Sequence, residues 1–306
     1  MKKIIYPVLL LLAAVIWGFA FAAQKAADTV PPFTLGATRS FLAGIFLIFV
    51  IIVFDKALKS ERRLFSFKNR RIDFGKYELI GGVICGVILA LASFFQQAGI
   101  NSGTSAGKAS FITALYVVLV PIYALILKRR AKINVWISIA IAVVGFYLLC
   151  IDGDFGIVPS DALVIASSLV FPIHILAIDK YSPLCDGVRM SCIQFFTAGV
   201  VNTVFALILE SPIDTGAVLD AILPILFLGI ASSGIAYTLQ IVGQKGVNPA
   251  PASLILSLES VFGVIGSALF LSEKMSPREY AGCAVVFFAV VLSQLEFPNK
   301  NAISQN

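Results

Sequence analysis

The sequence predicts an all-α membrane protein of about ten transmembrane helices, arranged as two five-helix repeats of inverted topology. Three observations carry that prediction. Hydrophobic residues make up 59% of the 306 and charged residues only 13%, about half the charge a soluble domain needs to cover its surface. Long apolar segments recur along the chain with short polar breaks between them, at a mean hydropathy of +0.95. The second half also repeats the pattern of the first.

The first predicted span is 4–24. Lys2-Lys3, the apolar run and the small residues Ala20 and Ala22 have the look of a secretory signal. The run is about 20 residues long, enough to cross the hydrocarbon core, and more membrane sequence follows it, so it is read as a helix. The further spans are 33–54, 77–99, 105–127, 134–151, 160–179, 188–209, 219–243, 249–271 and 277–295. A rise of about 1.5 Å per residue lets each cross the bilayer or nearly so. Helices are required because backbone groups in lipid must bond within their own segment. Turn chemistry marks most breaks: Pro31-Pro32, Gly153 with Pro159, Pro183, Pro212 and Asn248-Pro249.

Charge sets the expected orientation. With the N-terminus in the cytoplasm, most of the 23 lysines and arginines fall on the cytoplasmic side. Only Lys25, Lys108, Lys274 and Arg278 fall outside, and Arg39 lies within a span. An even number of spans then puts both termini in the cytoplasm of a cell (inner or plasma) membrane. The basic loop Asp55–Lys76 reads as an orientation signal on anionic headgroups, not as a nucleic-acid site.

Sliding 83–150 onto 226–293 needs no gap. Gly86 falls on Gly229, Gln97 on Gln240, Gly103 on Gly246, Ala109-Ser110 on Ala252-Ser253 and Tyr116 on Glu259. Five spans per half is odd, so the second half enters the membrane from the opposite side. Such symmetry is common in secondary transporters, whose substrate sites lie near the midplane between repeats. The expected boundaries are 1–152 and 153–297 for the two repeats, with 298–306 as a cytoplasmic tail.

The residues also carry a family resemblance. "AVIWGFAFAAQKA" in the first span, the arginine of "LGATRSFLAG" in the second, Pro121 and Gly145 late in the first half, and Ser272-Glu273 and Gly282 late in the second resemble the drug/metabolite transporter superfamily. Within it, the chain is similar to the EamA-like ten-helix exporters. The resemblance spans nearly the whole chain and implies this fold and a transport role, without naming a substrate. The family's acidic residue after the fourth span is replaced here by Arg129-Arg130, so the resemblance assigns no loop-gating role to Glu273.

Candidate substrate-binding or coupling residues are polar groups inside apolar spans. Glu259 lies about ten residues into its span, where a charge costs about 2.5–3.5 kcal/mol even on the lower scales. A cation, a wet cavity or protonation must offset that cost. Arg39 offers a planar fork of donors to a carboxylate or phosphate, or could pair with Glu259 or cap carbonyls. The repeat sets Tyr116 opposite Glu259. Gln97 and Gln240, with Gln96, either brace helices or line the path. His174, the only histidine, is either a buried neutral imidazole or a proton relay. Trp17 and Tyr237 could stack on a substrate or fill the core. Lys108, near a helix end, can snorkel to headgroups. Gly82 and Gly86 mark close helix packing.

The sequence therefore predicts a secondary transporter that exports a small polar metabolite, such as an amino acid, by alternating access. Cys85, Cys150, Cys185, Cys192 and Cys283 have no metal-ligand spacing, and no nucleotide-binding loop is present, so no cofactor is expected. The alternatives are an intramembrane enzyme acting on lipid, opposed by the lack of HExxH or GxSxG, and a passive channel, which would favour rings of charge. Expected partners are the small-molecule substrate and the bilayer. Monomer and homodimer both stay open.

Overall fold

Helix is the only regular structure among the described residues, as the apolar runs require. The computed structural model describes residues 2–57, 75–128, 131–150, 158–270 and 276–295. Most of the basic Asp55–Lys76 loop, Arg129-Arg130, the junction between the halves, Ser272-Glu273 and the 298–306 tail lie outside them. The first half contains α1 (Lys2–Ala26), α2 (Pro32–Ala57), α3 (Lys76–Asn101), a fourth rod made of α4 (Ala106–Ala114) and α5 (Tyr116–Ile126), and α6 (Ile133–Cys150). The second contains α7 (Pro159–Tyr181), α8 (Gly187–Leu209) and the short α9 (Thr215–Asp220). An eighth rod joins α10 (Ile222–Leu226), a π-helical stretch (Phe227–Tyr237) and α11 (Thr238–Gly243). The ninth joins α12 (Pro249–Leu256) and α13 (Glu259–Phe270), and α14 (Pro277–Gln294) is the tenth. Seven of the rods are long and apolar enough to cross a membrane, while 133–148 and 249–265 are apolar but shorter. Phe49, Phe54, Ile126, Leu223 and Phe288 are exposed on the outer faces, as a lipid-facing surface requires.

The packing obeys the repeat. α3 packs on α7, and its equivalent rod, 222–243, packs on α1. α1 packs on α13 as α7 packs on α4 and α5. α2 pairs with α8, α6 with α14, and the fourth rod with the ninth. Exchanging each helix for its counterpart in the other half reproduces these pairs, which is the signature of two halves related by a two-fold axis.

Small residues allow the close approaches. A Cβ on Gly82 would lie 2.9 Å from the Met190 carbonyl oxygen, and one on Gly86 2.5 Å from that of Gln194. Both glycines therefore sit against the α8 backbone, as their spacing predicts. Gly145 and Gly282 meet at the α6–α14 crossing, where a Cβ on Gly145 would lie 3.1 Å from the Gly282 oxygen.

α2 and α8 run antiparallel and are tied at both ends. At one end, Arg189 Nη2 donates to both Asp55 carboxylate oxygens at 2.9 and 2.8 Å, with Asp186 3.6 Å from Nη1. Asp186 also caps α8 by accepting from Val188 and Arg189 N–H, and its own N–H donates to Glu78. At the other end, the Glu210 carboxylate accepts from Phe33 N, Thr34 N and the Thr34 hydroxyl at 2.8, 2.7 and 2.8 Å. A carboxylate there satisfies orphan donors of the α2 N-terminus and complements its dipole.

Two local features depart from the sequence reading. The fourth and ninth spans, expected as continuous helices, are each broken, at Leu115 and at Ser257-Leu258. The breaks occupy equivalent repeat positions, since Leu115 aligns with Leu258. The Ser257 hydroxyl donates to the Leu254 carbonyl at 2.8 Å, competing with the backbone as serine does within helices. Leu115 N–H reaches back only three residues, to Ile112. The second departure is the π-helical winding of 227–237, in a run rich in Gly, Ser and Ala.

Candidate functional site

The two breaks place polar side chains in the middle of the bundle. Tyr116 opens α5 and Glu259 opens α13, so the repeat axis brings them to one level. Both are buried, and both line a narrow cavity between the halves whose total empty space is about 510 Å³, mouth included. The Tyr116 hydroxyl and the Glu259 carboxyl face each other as loose hydrogen-bonding neighbours, and neither the hydroxyl nor Glu259 Oε1 makes a close hydrogen bond among the described residues.

Arg39, from α2, lines the same cavity but does not pair with Glu259. Its Nε donates to the Ser233 hydroxyl at 3.0 Å and its Nη2 to the Ser232 hydroxyl at 3.2 Å, both on the π-helical stretch. A guanidinium has five N–H groups, so these two bonds leave donors for a ligand. A smaller cavity, of about 250 Å³, lies between α2, α3 and α8 and shares Arg39 and Tyr237 with the first.

Aromatic rings form one wall. Trp17 and Tyr237 have centroids 4.6 Å apart at 60°. Trp17 Nε1 donates to the Ser232 carbonyl at 3.1 Å, which fixes the indole. Tyr237 in turn meets His174 edge-on at 5.8 Å and Phe195 at 5.6 Å. His174 is buried, with Nε2 3.1 Å from Gln194 Oε1. His174 and Gln240 line the cavity toward the Arg189 end of the bundle.

Toward the Glu210 end, an amide network closes the space. Gln24 Nε2 donates to Gln96 Oε1 at 2.9 Å and Gln97 Oε1 at 3.2 Å. Gln96 donates to the Thr113 hydroxyl at 3.0 Å, and Gln97 to Asn101 at 2.7 Å. Gln24 and Gln96 line the cavity. Gln97, singled out from the sequence, does not line it and braces α1 against α3 instead, being about 100° round the helix from Gln96. Beyond the network, Lys108 does not simply snorkel: it forms an ion pair with the buried Asp161, which also accepts from the Thr104 hydroxyl and Val158 N–H. That pair joins α4 of one half to α7 of the other.

Seven of the eight sequence-derived candidates thus meet around one cavity. Gln24 and Ser232, which also line it, escaped the reading. Gln24 carried a signal, as a lone amide near a span end. Ser232 carried none.

Comparison with known proteins agrees with this architecture. A sequence profile described as the EamA-like transporter family matches residues 4–151 and again 158–295. An uncharacterized transporter from Archaeoglobus fulgidus is 28% identical over 296 residues, covering 96% of this chain and 87% of that one. The uncharacterized transporter YwfM of Bacillus subtilis is 23% identical over 300 residues, covering 95% and 94%. One solved crystal structure superposes with a TM-score of 0.72 over 94% of this chain and 96% of the other. At 15% identity, that similarity bears on the fold alone.

Proposed function

The chain belongs to the EamA-like transporter family, and from that premise we propose that it exports a small polar metabolite, an amino acid or a related compound, by alternating access through the cavity between its halves. The observation that carries this reading is the pairing of opposite chemistries in one buried space. Arg39 brings a cation with spare donors, and Glu259 a carboxyl that faces Tyr116 and whose Oε1 makes no close hydrogen bond. A zwitterion matches both: its carboxylate meets the guanidinium fork, its ammonium meets Glu259, and Trp17 and Tyr237 flank its body. Repeats that rock about the tied α2–α8 pair would open the cavity to each side in turn.

The test is exchange of radiolabelled amino acids in proteoliposomes, with and without an imposed pH gradient. Failure of every amino acid to exchange would overturn the substrate class. Arg39→Lys keeps the charge but loses the fork, so transport should fall about tenfold, corresponding to roughly 1.4 kcal/mol, while the protein still inserts. Normal transport by Arg39→Gln would remove Arg39 from the binding site.

The same proposal places the Arg189 end and both termini in the cytoplasm. On a cysteine-free background, cysteines introduced between 58 and 74 should resist a membrane-impermeant maleimide added to intact cells. Strong labelling there would reverse the orientation.

A further inference from the structure

Arg39 carries its charge into the bundle without an ion pair among the described residues. Lys108 and Arg189, the cations that tie other helices together, each meet a carboxylate, Asp161 and Asp55. Arg39 meets the hydroxyls of Ser233 and Ser232 instead. Serine dipoles solvate a guanidinium but do not neutralise it, and a cation within a span carries a cost that a counter-charge offsets. Glu259 shares the main cavity with Arg39 but is not its partner.

The smaller cavity, of about 250 Å³, is lined by Arg39 and Ser40 of α2, Ser93 of α3, Asn202 of α8, and Ser233 and Tyr237 of the eighth rod. All six polar side chains border that one space, and contacts fix two pairs of them. Arg39 Nε donates to the Ser233 hydroxyl at 3.0 Å, and the Tyr237 hydroxyl faces Ser93 as a loose hydrogen-bonding neighbour. Ser233 accepts from Arg39, which leaves its own hydroxyl hydrogen to donate. Ser253, Ser257 and Ser293 return that hydrogen to a carbonyl of their own helix; among the described residues, Ser40 and Ser233 do not. Asn202 gives one amide hydrogen to the Ala198 carbonyl at 2.8 Å and keeps a second. Its amide oxygen is the one side-chain acceptor on the wall that cannot also donate, and no carboxylate is among the lining residues.

A guanidinium among hydroxyl donors, with no acid on the wall, complements an anion and repels an ammonium. One guanidinium balances one negative charge, so a monovalent ion fits and a doubly charged sulfate does not. We infer that the space between α2, α3 and α8 is a binding site for a small monovalent inorganic anion, chloride by size and charge, held by Arg39 with the hydroxyls of Ser40, Ser93 and Ser233. The site goes beyond the amino-acid reading. Its ion supplies the counter-charge of Arg39 in the substrate-free carrier, and a carboxylate entering the main cavity takes that role over.

The test uses the purified full chain in detergent without substrate, unfolded by heat in sodium chloride or sodium gluconate of equal ionic strength. Its outcome is therefore independent of whether amino acids exchange. A ligand bound only by the folded state raises Tm with its concentration, so chloride should raise Tm saturably over gluconate, which is too bulky for the space. Arg39→Gln should abolish the rise. Ser40→Ala combined with Ser93→Ala should move the chloride midpoint about tenfold upward, as loss of hydrogen bonds to a charged group does. Equal Tm of the wild type in both salts would overturn the site. A rise that survives Arg39→Gln unchanged would mark an adventitious ion only, and would overturn it as well. Sodium acetate separates the sources: acetate matching chloride would overturn the inorganic ion and make the space a pocket for the substrate's own carboxylate. Should Arg39→Gln not fold, the double serine variant decides, and an unmoved midpoint there sinks the proposal.

Discussion

Glu259→Gln will abolish the response of transport to a pH gradient while leaving substrate exchange partly intact. Glu259 is buried in the middle of the bundle, at the first residue of a half-helix, facing Tyr116 and with no close hydrogen bond to Oε1 among the described residues. It can bind a proton or an ammonium group, but the two compete for the same oxygens. A site that carries one of them inward and the other outward exchanges them obligatorily. Glutamine keeps the shape and a carbonyl acceptor, so it still receives a substrate N–H with weaker affinity. It cannot titrate. In proteoliposomes, the gradient-driven component should disappear and counterflow should persist at raised substrate concentration. An unchanged gradient response would reduce Glu259 to a packing residue.

The second large effect is on stability. Asp55→Ala will take from the Arg189 guanidinium its two-oxygen partner, in a pair where Arg189 is 5% and Asp55 9% exposed. Removing one partner of a buried pair costs about 3–5 kcal/mol, because the other charge stays buried without compensation. Asp186, at 3.6 Å, holds Arg189 less closely and recovers only part of that. The double variant Asp55→Leu with Arg189→Leu should recover most of the loss, since apolar replacement of both partners is often neutral. Unfolding in detergent followed by tryptophan fluorescence measures both. An Asp55→Ala protein within about 1 kcal/mol of wild type would show that the pair does not hold α2 to α8.

Hydropathy made the ten rods legible because lipid forces every span to be helical and apolar, and the structure follows that order. The repeat offset went further: it set Tyr116 against Glu259, and the two line one cavity. Arg39 was legible as a polar group in an apolar span, but its partners were not, because Ser232 and Ser233 lie nearly 200 residues away in sequence. For the same reason the sequence could not distinguish a snorkelling Lys108 from one paired with Asp161. The helix breaks were hidden because neither Leu115 nor Ser257 is a strong breaker by itself. Gln96 and Gln97 show the finest limit. Both are amides in an apolar helix, and only the azimuth of α3 decides which one faces the cavity.

The winding of the eighth rod has a consequence for Arg39. In an α-helix, neighbouring residues point about 100° apart. A π-helix bonds five residues ahead, fits more residues into each turn, and so brings neighbours closer in direction. That is how Ser232 and Ser233, adjacent in sequence, can both present hydroxyls to a single guanidinium. The wide turns of 227–237 therefore supply both hydroxyls that hold Arg39, and a substitution that restores α-helical winding there should loosen that grip.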